Sequence, residues 1–108
     1  MSWPNHLTKL SSETYRHFMA KAALFYLLRR MKHDVASEWR VGNGYVDLVD
    51  QTTRTFYEIE FSSSKKFRDR KIQQYRTAGY EIIIVDCSKL SKDIDKMKTY
   101  LSQFVIPD

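Results

Sequence analysis

Residues 45–61, YVDLVDQTTRTFYEIEF, predict two β-strands joined by a polar turn at Gln51–Arg54. Apolar and polar residues alternate in each half, which is the pattern of a strand. Successive side chains of a strand point to opposite faces, so Glu58 and Glu60 share one side and the apolar residues of that strand share the other. If Asp47 on the neighbouring strand points the same way, three carboxylates meet on one face of a small sheet.

The elements on either side of this hairpin give an αβββαβα order, which predicts an α/β fold with a mixed four-stranded sheet. Before the hairpin, apolar residues at spacings of three and four predict a long helix, and a further strand pairs through the turn Gly42-Asn43-Gly44. After it, the apolar run at 81–86 predicts a strand buried on both faces and returned parallel by a helical crossover. The predicted bounds are Glu13 to about Lys32, Val35–Val41, Tyr45–Asp50, Thr55–Phe61, about Lys65–Ala78, Glu81–Asp86 and Ser91–Phe104.

Polar residues that favour helix ends mark the helix boundaries. Ser11 and Ser12 are the N-cap candidates of the first helix, which places Glu13 in its first turn. The serines at 62–64 offer N-cap hydroxyls to the second helix, and Gly79 is its C-cap candidate. The predicted apolar side of the second helix consists of Phe67, Ile72 and Tyr75.

The composition limits the class of protein. With 108 residues, of which 43% are hydrophobic, the chain is long enough for one domain spanning residues 1–108 and too short for two. The single Cys87 excludes an intramolecular disulfide and a paired-cysteine metal site. The longest apolar run, Ala22–Leu28, is too short to span a bilayer, and there is no targeting segment. We therefore expect a soluble, intracellular (cytoplasmic) protein.

The net charge of +5 is concentrated in one segment. Residues 62–79 carry six basic side chains against the single acidic Asp69, so the rest of the chain is neutral overall. A confined basic patch is typical of a surface that binds a polyanion such as nucleic acid. A solvated helix face of ordinary Lys and Arg content gives the same pattern, and both interpretations stay open. The candidate nucleic-acid-binding residues are Lys65, Lys66, Arg68, Arg70, Lys71, Gln74 and Arg76.

The three carboxylates predict a metal site beside this basic segment. Like charges in close contact repel and raise each other's pKa, and a divalent cation resolves the conflict. Mg²⁺ takes carboxylate oxygens together with water and substrate phosphate oxygens. Metal-assisted phosphodiester hydrolysis needs such a cluster next to groups that hold the phosphate backbone. The alternative is that the glutamates simply form the exposed face of an antiparallel sheet.

The element order and the acidic motif together resemble the PD-(D/E)XK nuclease superfamily, which includes restriction endonucleases and archaeal Holliday junction resolvases. Its core is αβββαβ, with an Asp at the second strand and (D/E)-x-K on the third. Here Gly44-Tyr45-Val46-Asp47 supplies the Asp and Glu58-Ile59-Glu60 supplies the second element, within a resemblance covering about residues 12–86. The resemblance implies a restriction-endonuclease-like fold, a Mg²⁺ or Mn²⁺ cofactor, DNA as the substrate, and a homodimer formed through the exposed face of the first helix.

The resemblance also implies a role for each residue of the site. The chain departs from the motif in carrying Glu60 in place of the Lys that helps to position the attacking water. Glu60 is therefore expected to bind metal or act as a base, and a lysine from the second helix, Lys65, Lys66 or Lys71, is expected to replace the missing Lys. Gln74 and Tyr75 are further candidates on that helix. The predicted catalytic residues are Asp47, Glu58, Glu60, Lys65 and Lys71, and the predicted metal ligands are Glu13, Asp47, Glu58, Ile59 through its carbonyl, and Glu60.

Three functions fit this sequence. The first is a Mg²⁺-dependent DNA endonuclease, acting on branched or otherwise structured DNA and needing no organic cofactor. The second is a binding module of the same fold in which Glu60 marks a lost active site. The third is a protein-interaction domain that uses Trp3, Trp39 and the broad apolar face of the first helix. His17, one helical turn after Glu13, is within reach of the same site, although a boundary histidine is the commoner case.

Overall fold

A computed structural model describes residues 5–42, 44–62, 64–76 and 78–107. Four strands form one sheet in the order β1-β2-β3-β4. The predicted α/β class, element order and mixed four-stranded sheet are confirmed, whereas the predictions for Trp3, Asn43 and Ser63 lie outside the described residues. The elements are α1 (Tyr15–Arg30), β1 (Val35–Val41), β2 (Gly44–Asp50), β3 (Thr55–Glu60), α2 (Lys65–Arg76), β4 (Glu81–Asp86) and α3 (Ile94–Leu101), which continues into a 3₁₀ turn, Ser102–Phe104.

The strands pair as the turns and the crossover predicted. β1, β2 and β3 are successively antiparallel, and β4 runs parallel to β3 in a register that sets Glu60 opposite Asp86. β4 lies at the edge of the sheet, and Ile82, Ile83 and Ile84 are only partly buried. The prediction of a strand buried on both faces therefore holds only in part: Ile83 packs against apolar side chains on one face and Ile82 against those on the other, but the edge position leaves both partly exposed.

Apolar side chains form a separate cluster on each face of the sheet. On one face α1 and α3 pack over residues of all four strands, with Leu24, Tyr57 and Leu101 among the fully buried side chains. On the other face the ring of Tyr75 from α2 packs edge-on against Phe56. The sheet thus separates α1 and α3 from α2, and any site that uses both α1 and α2 must pass through the sheet or around its end.

The first helix begins at Tyr15, two residues after the predicted start at Glu13. Thr14 is the N-cap, because its Oγ1 accepts a hydrogen bond from the His17 N–H at 3.1 Å. Glu13 consequently lies before the helix and not in its first turn. At the other end Lys32 adopts a left-handed φ of 64° and its N–H donates to the Arg29 carbonyl at 2.8 Å, which stops the helix.

The second helix is held to the sheet by a few contacts at its end. Tyr75 is its one buried residue, whereas Phe67 is 43% exposed, so the predicted apolar side of Phe67, Ile72 and Tyr75 is only partly buried. The Tyr75 hydroxyl donates to the Tyr45 carbonyl at 3.3 Å. A Cβ on Gly44 would lie 3.3 Å from that hydroxyl, so a glycine at the start of β2 lets α2 approach closely. The N-cap prediction is confirmed for Ser64, whose Oγ accepts from the Phe67 N–H at 3.1 Å.

The alternation of side chains breaks where β1 and β2 pair. Glu38 has a φ of 53°, and it lies between the paired positions Ser37–Leu48 and Trp39–Val46. Across this distortion Leu48 packs in the cluster under α1 while Val46 packs in the cluster under α2. In a regular strand, residues two positions apart face the same way, so β2 departs from regular alternation between Val46 and Leu48. Among the described residues, no helix has the length and apolar character that a bilayer crossing requires.

Candidate active site

Asp47 lies at the point where β2 and β3 separate. Backbone pairing between the two strands covers Leu48 to Asp50 of β2 and ends there. Beyond it, the N–H of Ile59 donates to Asp47 Oδ2 at 2.7 Å. The carboxylate therefore lies between the strands instead of on one face of the sheet, where it can contact groups from both helix layers.

Glu58 lies beside Asp47 and is almost fully buried. It is 2% exposed, and its Oε1 is a buried oxygen without a hydrogen-bond donor among the described residues. Burial, followed by the negative charge of Asp47, raises the pKa of Glu58 to about 9, although the nearby Lys71 ammonium acts in the opposite direction. At neutral pH and without a metal ion, Glu58 is therefore protonated and neutral.

Lys71 joins the two glutamates of β3. Its Nζ lies 3.3 Å from Glu58 Oε2 and 3.0 Å from Glu60 Oε1. Burial lowers the pKa of Lys71, but at the alkaline pH where Lys71 titrates Glu58 carries its charge as well, and the charges of Glu58 and Glu60 outweigh burial and raise the pKa. The ammonium is therefore firmly protonated and provides a fixed positive charge on the α2 side of the carboxylates.

His17 contacts Asp47 from the α1 side. Its Nε2 lies 3.3 Å from Asp47 Oδ2, and its Nδ1 contacts Glu13 Oε2. The hydrogen bond with Asp47 is the largest of the effects that raise the pKa of His17 to about 9. Burial alone would raise the pKa of Asp47, but the imidazolium reverses this and lowers it. His17 therefore carries a positive charge at neutral pH and holds Asp47 ionised.

Behind His17, a buried lysine neutralises two more carboxylates. Lys21 is fully buried, and its Nζ lies 2.9 Å from Glu13 Oε1 and 2.8 Å from Glu38 Oε1. A third hydrogen bond, at 2.6 Å, goes to the Thr8 carbonyl. A continuous chain of charged contacts thus leads from Lys21 through Glu13 and His17 to Asp47. An open cleft of about 300 Å³ exposes part of this chain to solvent.

The structure brings together only some of the predicted site residues. Asp47, Glu58, Glu60 and Lys71 are neighbours, and the Ile59 backbone adjoins Asp47. Glu13 is separated from Asp47 by the imidazole of His17, so these two carboxylates are not adjacent. On α2, Arg68 and Lys71 are turned inward, whereas the other predicted nucleic-acid contacts, Lys65, Lys66, Arg70, Gln74 and Arg76, are exposed.

Lys21 and Glu38 were not predicted as residues of the site, and His17 was placed within reach of it but interpreted as more commonly a boundary histidine. Glu13, His17 and Lys21 recur every four residues, and this polar stripe on an otherwise apolar helix is a signal for His17 and Lys21 that the sequence does contain. Glu38 has no such signal, because its side chain reaches Lys21 only through the left-handed φ that distorts β1.

The site supplies a pair of carboxylates for a metal ion and not the predicted cluster of three. Within the four described ranges, no three His, Cys, Asp or Glu side chains are grouped so that they could hold a metal ion. The pair nevertheless suits Mg²⁺, which is commonly bound by one or two carboxylates plus water and phosphate oxygens, and Glu58 Oε1 is an oxygen still without a donor. No protein-family model, curated protein or solved structure matches the chain.

The raised pKa of Glu58 gives the metal-free protein a defined pH dependence. Its folded pKa of about 9 lies above its ordinary value of 4.5, so the folded state binds the extra proton between these values. The stability that the proton provides is complete below about pH 4.5 and is lost as the pH rises through about 9. The slope is at most about 1.4 kcal/mol per pH unit.

His17, with a pKa raised from 6.5 to about 9, adds a slope of the same sign above pH 6.5, so Glu58→Gln is expected to remove the slope between about pH 4.5 and 6.5 and only part of it at higher pH. It should also be more stable than the wild type at alkaline pH, because the amide stays neutral. Urea denaturation across this pH range in EDTA measures the free energy of unfolding of both proteins. Glu81→Gln, at an exposed glutamate, is the matched control. A slope that persists between about pH 4.5 and 6.5 in Glu58→Gln would assign the pH dependence to another group.

Proposed function

We propose that this protein is a metal-dependent DNA endonuclease of the PD-(D/E)XK type. The observation that carries the proposal is the placement of Asp47 between the separating strands β2 and β3, next to a buried Glu58 that has one oxygen without a donor. The αβββαβα order and the mixed sheet support the same assignment. Two adjacent acids in a buried position, beside a basic helix, suit phosphodiester hydrolysis better than a purely structural role.

In this proposal Asp47 and Glu58 would hold the metal ion, with the Ile59 carbonyl as a further ligand, while Glu60 holds the ammonium of Lys71. When bound, the metal supplies an activated water and stabilises negative charge on the phosphodiester. Glu58 releases its proton when the ion binds, so metal affinity increases with pH up to about 9. His17 keeps Asp47 ionised and oriented from the other side of the sheet.

Lys71 takes the part of the lysine that the motif lacks. It is the candidate supported by geometry, since its Nζ contacts Glu58 and Glu60, whereas Lys65 and Lys66 are exposed in the first turn of α2. Its ammonium contacts the scissile phosphate and orients the attacking water. In this proposal Lys71 on α2 replaces the motif lysine on β3, so the positive charge beside Glu58 and Glu60 comes from a helix instead of from the strand.

Lys71→Met is expected to reduce cleavage by about 100- to 1,000-fold, the usual effect of losing one group that stabilises the transition state. Metal affinity should be unchanged or higher, because a competing cation is removed. Steady-state cleavage rates and metal titrations measure the two effects. Lys65→Met is the matched control, and an equal loss of activity in both variants would remove Lys71 from this role.

The exposed basic residues of α2 hold the DNA backbone. Replacing Lys65, Lys66 and Arg70 together with glutamine is expected to weaken binding to all DNA sequences alike. Because about 0.9 counterions are released per phosphate contact, the slope of log affinity against log salt should become smaller by about 2.7. Titrations of labelled duplex at several salt concentrations measure this. A control variant carrying glutamine at the exposed lysines 89, 92 and 96, on the side of α3, should bind DNA as the wild type does. If this control loses more DNA affinity than the α2 variant, the DNA surface lies on the α3 side.

Cleavage of plasmid, linear duplex and four-way-junction DNA tests the proposed function. With Mg²⁺ or Mn²⁺ we expect nicked and linear products that EDTA prevents, and the preferred substrate identifies the subclass. Absence of cleavage with either metal on all three substrates, in protein that binds them, overturns the nuclease assignment.

A specific observation favours a second function, a catalytically inactive nucleic-acid-binding module of this fold. The carboxylates of the site are already neutralised without a metal ion, by His17, Lys21 and Lys71. In a binding module these cations would be permanent substitutes for the metal. Calorimetric titration with Mn²⁺ separates the two functions. A nuclease must bind the metal, and Glu58→Gln should weaken that binding. A binding module requires no metal, so it should give no such signal.

A homodimer is part of the nuclease proposal, because two cuts in one duplex need two sites. The surface that would form it contains exposed Met19 and Tyr26 of α1 and Ile94 of α3, which border an apolar groove of about 270 Å³. Sedimentation velocity of the wild type and Met19→Glu tests this surface. A monomeric wild type, or a dimer unaffected by Met19→Glu, contradicts it.

A further inference from the structure

A second pocket adjoins the proposed active site at the carboxyl ends of the two parallel strands. It has a volume of about 270 Å³ and lies between the ends of β3 and β4 and the first turns of α2. In open α/β sheets, this end of parallel strands is where ligands bind. Glu60 belongs to both the pocket and the carboxylate site, so the two are contiguous. The pocket is lined by Glu60, Phe61, Ser62, Arg68, Asp86 and Ser88.

The side chain of Arg68 enters this pocket with an unsatisfied donor. Its Nε is buried and has no hydrogen-bond partner among the described residues. Leaving a buried donor unpaired costs about 1–3 kcal/mol, and more for a charged group. The exposed basic residues on the outer face of α2 carry no such penalty. Arg68 therefore differs from a solvated DNA-backbone contact, and its position favours a ligand that brings an acceptor into the pocket.

The carboxylates of the pocket limit what that ligand can be. Glu60 and Asp86 are register partners on parallel strands, so their side chains leave the sheet on the same side. A hydrogen bond from the Ser88 backbone is the main cause that lowers the pKa of Asp86, so this side chain is ionised at neutral pH. Lys71 already neutralises Glu60, and the ionised Asp86 offsets the charge of Arg68, so the pocket has no surplus positive charge for a phosphate group. A neutral ligand with both acceptors and donors fits this arrangement better.

We propose that this pocket binds one unstacked guanine base of the nucleic acid, next to the phosphodiester that the proposed nuclease cleaves. Guanine alone among the bases combines the acceptors O6 and N7, which suit an arginine, with two adjacent donors, N1–H and N2–H, which suit one carboxylate. Arg68 takes the acceptor edge and Asp86 takes the donors. A base turned out of its stack into a side pocket is read in this way by enzymes that act on single nucleotides.

The inference rests on the proposed function for the source of the base, but its test does not depend on cleavage. The full chain in EDTA is titrated with dGMP, dAMP, dCMP and dTMP, and binding is followed by calorimetry or by amide chemical shifts. We expect dGMP to bind about tenfold more tightly than the other three nucleotides, the discrimination of a good bidentate contact. A dT oligonucleotide containing a single dG should show the same gain over dT alone.

Asp86→Asn and Arg68→Gln should each remove the preference for dGMP, whereas Asp95→Asn and Lys92→Gln, at exposed sites, should retain it. Equal binding of all four nucleotides, with inorganic phosphate as a competitor, would show a phosphate pocket and overturn the inference. A dGMP preference that Asp86→Asn leaves intact, or that disappears in the oligonucleotide, would also overturn it. Because no metal is present, a chain that never cleaves DNA can still pass this test, and a nuclease can still fail it.

Discussion

Asp47→Asn is expected to abolish metal-dependent cleavage, with a loss on the order of 1,000-fold or more. Asp47 is the ionised carboxylate of the pair, because His17 lowers its pKa, and under the proposed function it is the first ligand that a divalent cation would meet. A bound metal contributes several kcal/mol of charge stabilisation, and each 1.36 kcal/mol corresponds to a factor of ten in rate. Asparagine keeps an oxygen that can accept from the Ile59 N–H, so the fold should be preserved.

Three measurements make this expectation specific. Cleavage rates in Mg²⁺ give the loss, a melting curve in EDTA shows that the variant is folded, and a DNA titration in Ca²⁺-free EDTA buffer shows that binding is kept. DNA affinity should be equal or higher, because a negative charge next to the phosphate backbone has been removed. Asp95→Asn, at an exposed aspartate of α3, is the control for loss of one charge. Metal-dependent cleavage at the wild-type rate in Asp47→Asn would place the active site elsewhere.

Local sequence patterns predicted the bounds of an element well where those bounds depend only on the residues of the element itself. The strands at Val35–Val41 and Glu81–Asp86 have the bounds that their composition predicted. The degree of burial of β4 was overestimated, because an apolar run in an edge strand and one in a central strand have the same composition. Burial depends on the neighbour of a strand, and sequence periodicity contains no information about that neighbour.

The sequence indicated which residues lie near one another in the candidate site better than it indicated how they are arranged. Spacing placed Asp47 on a face of the sheet, but the separation of β2 and β3 places it between the strands. The choice among three lysines could not be made from sequence, because it depends on the rotation of α2 about its axis. That rotation is fixed by the packing of Tyr75 against Phe56 and its hydrogen bond to the Tyr45 carbonyl. Once Tyr75 faces the sheet, Lys71, one turn earlier, must face it as well.

Lys21→Met is expected to lower the free energy of unfolding by about 3–5 kcal/mol at neutral pH, the usual cost of removing one partner of a buried ion pair. The methionine fills the space of the lysine stem, so the loss comes from the charges and not from a cavity. Glu13 and Glu38, whose side chains are 4% and 12% exposed, would keep their negative charges without the cation that neutralises them. Such a loss is a large part of the stability of a typical domain, which is about 5–15 kcal/mol.

A rescue variant and the pH dependence distinguish the loss of the lysine charge from a general disruption of packing. Adding Glu38→Gln to Lys21→Met should recover part of the loss, because one of the two uncompensated charges disappears. Lowering the pH toward 4 should narrow the gap between Lys21→Met and the wild type, since protonation neutralises the stranded carboxylates. Lys92→Met, at an exposed lysine, is the matched control and should change the free energy of unfolding by less than about 0.5 kcal/mol.

The same variant connects the stability of the fold to the chemistry of the site. Lys21 holds Glu13, Glu13 contacts His17, and His17 lowers the pKa of Asp47, so loss of the lysine affects Asp47, the proposed metal ligand, through three contacts. With Glu13 no longer neutralised by Lys21, the imidazolium is drawn toward Glu13 and Asp47 loses part of its support. We therefore expect folded Lys21→Met to need a higher Mg²⁺ concentration for half-maximal cleavage. A variant with wild-type stability and wild-type metal dependence would show that this buried network contributes neither to the fold nor to the site.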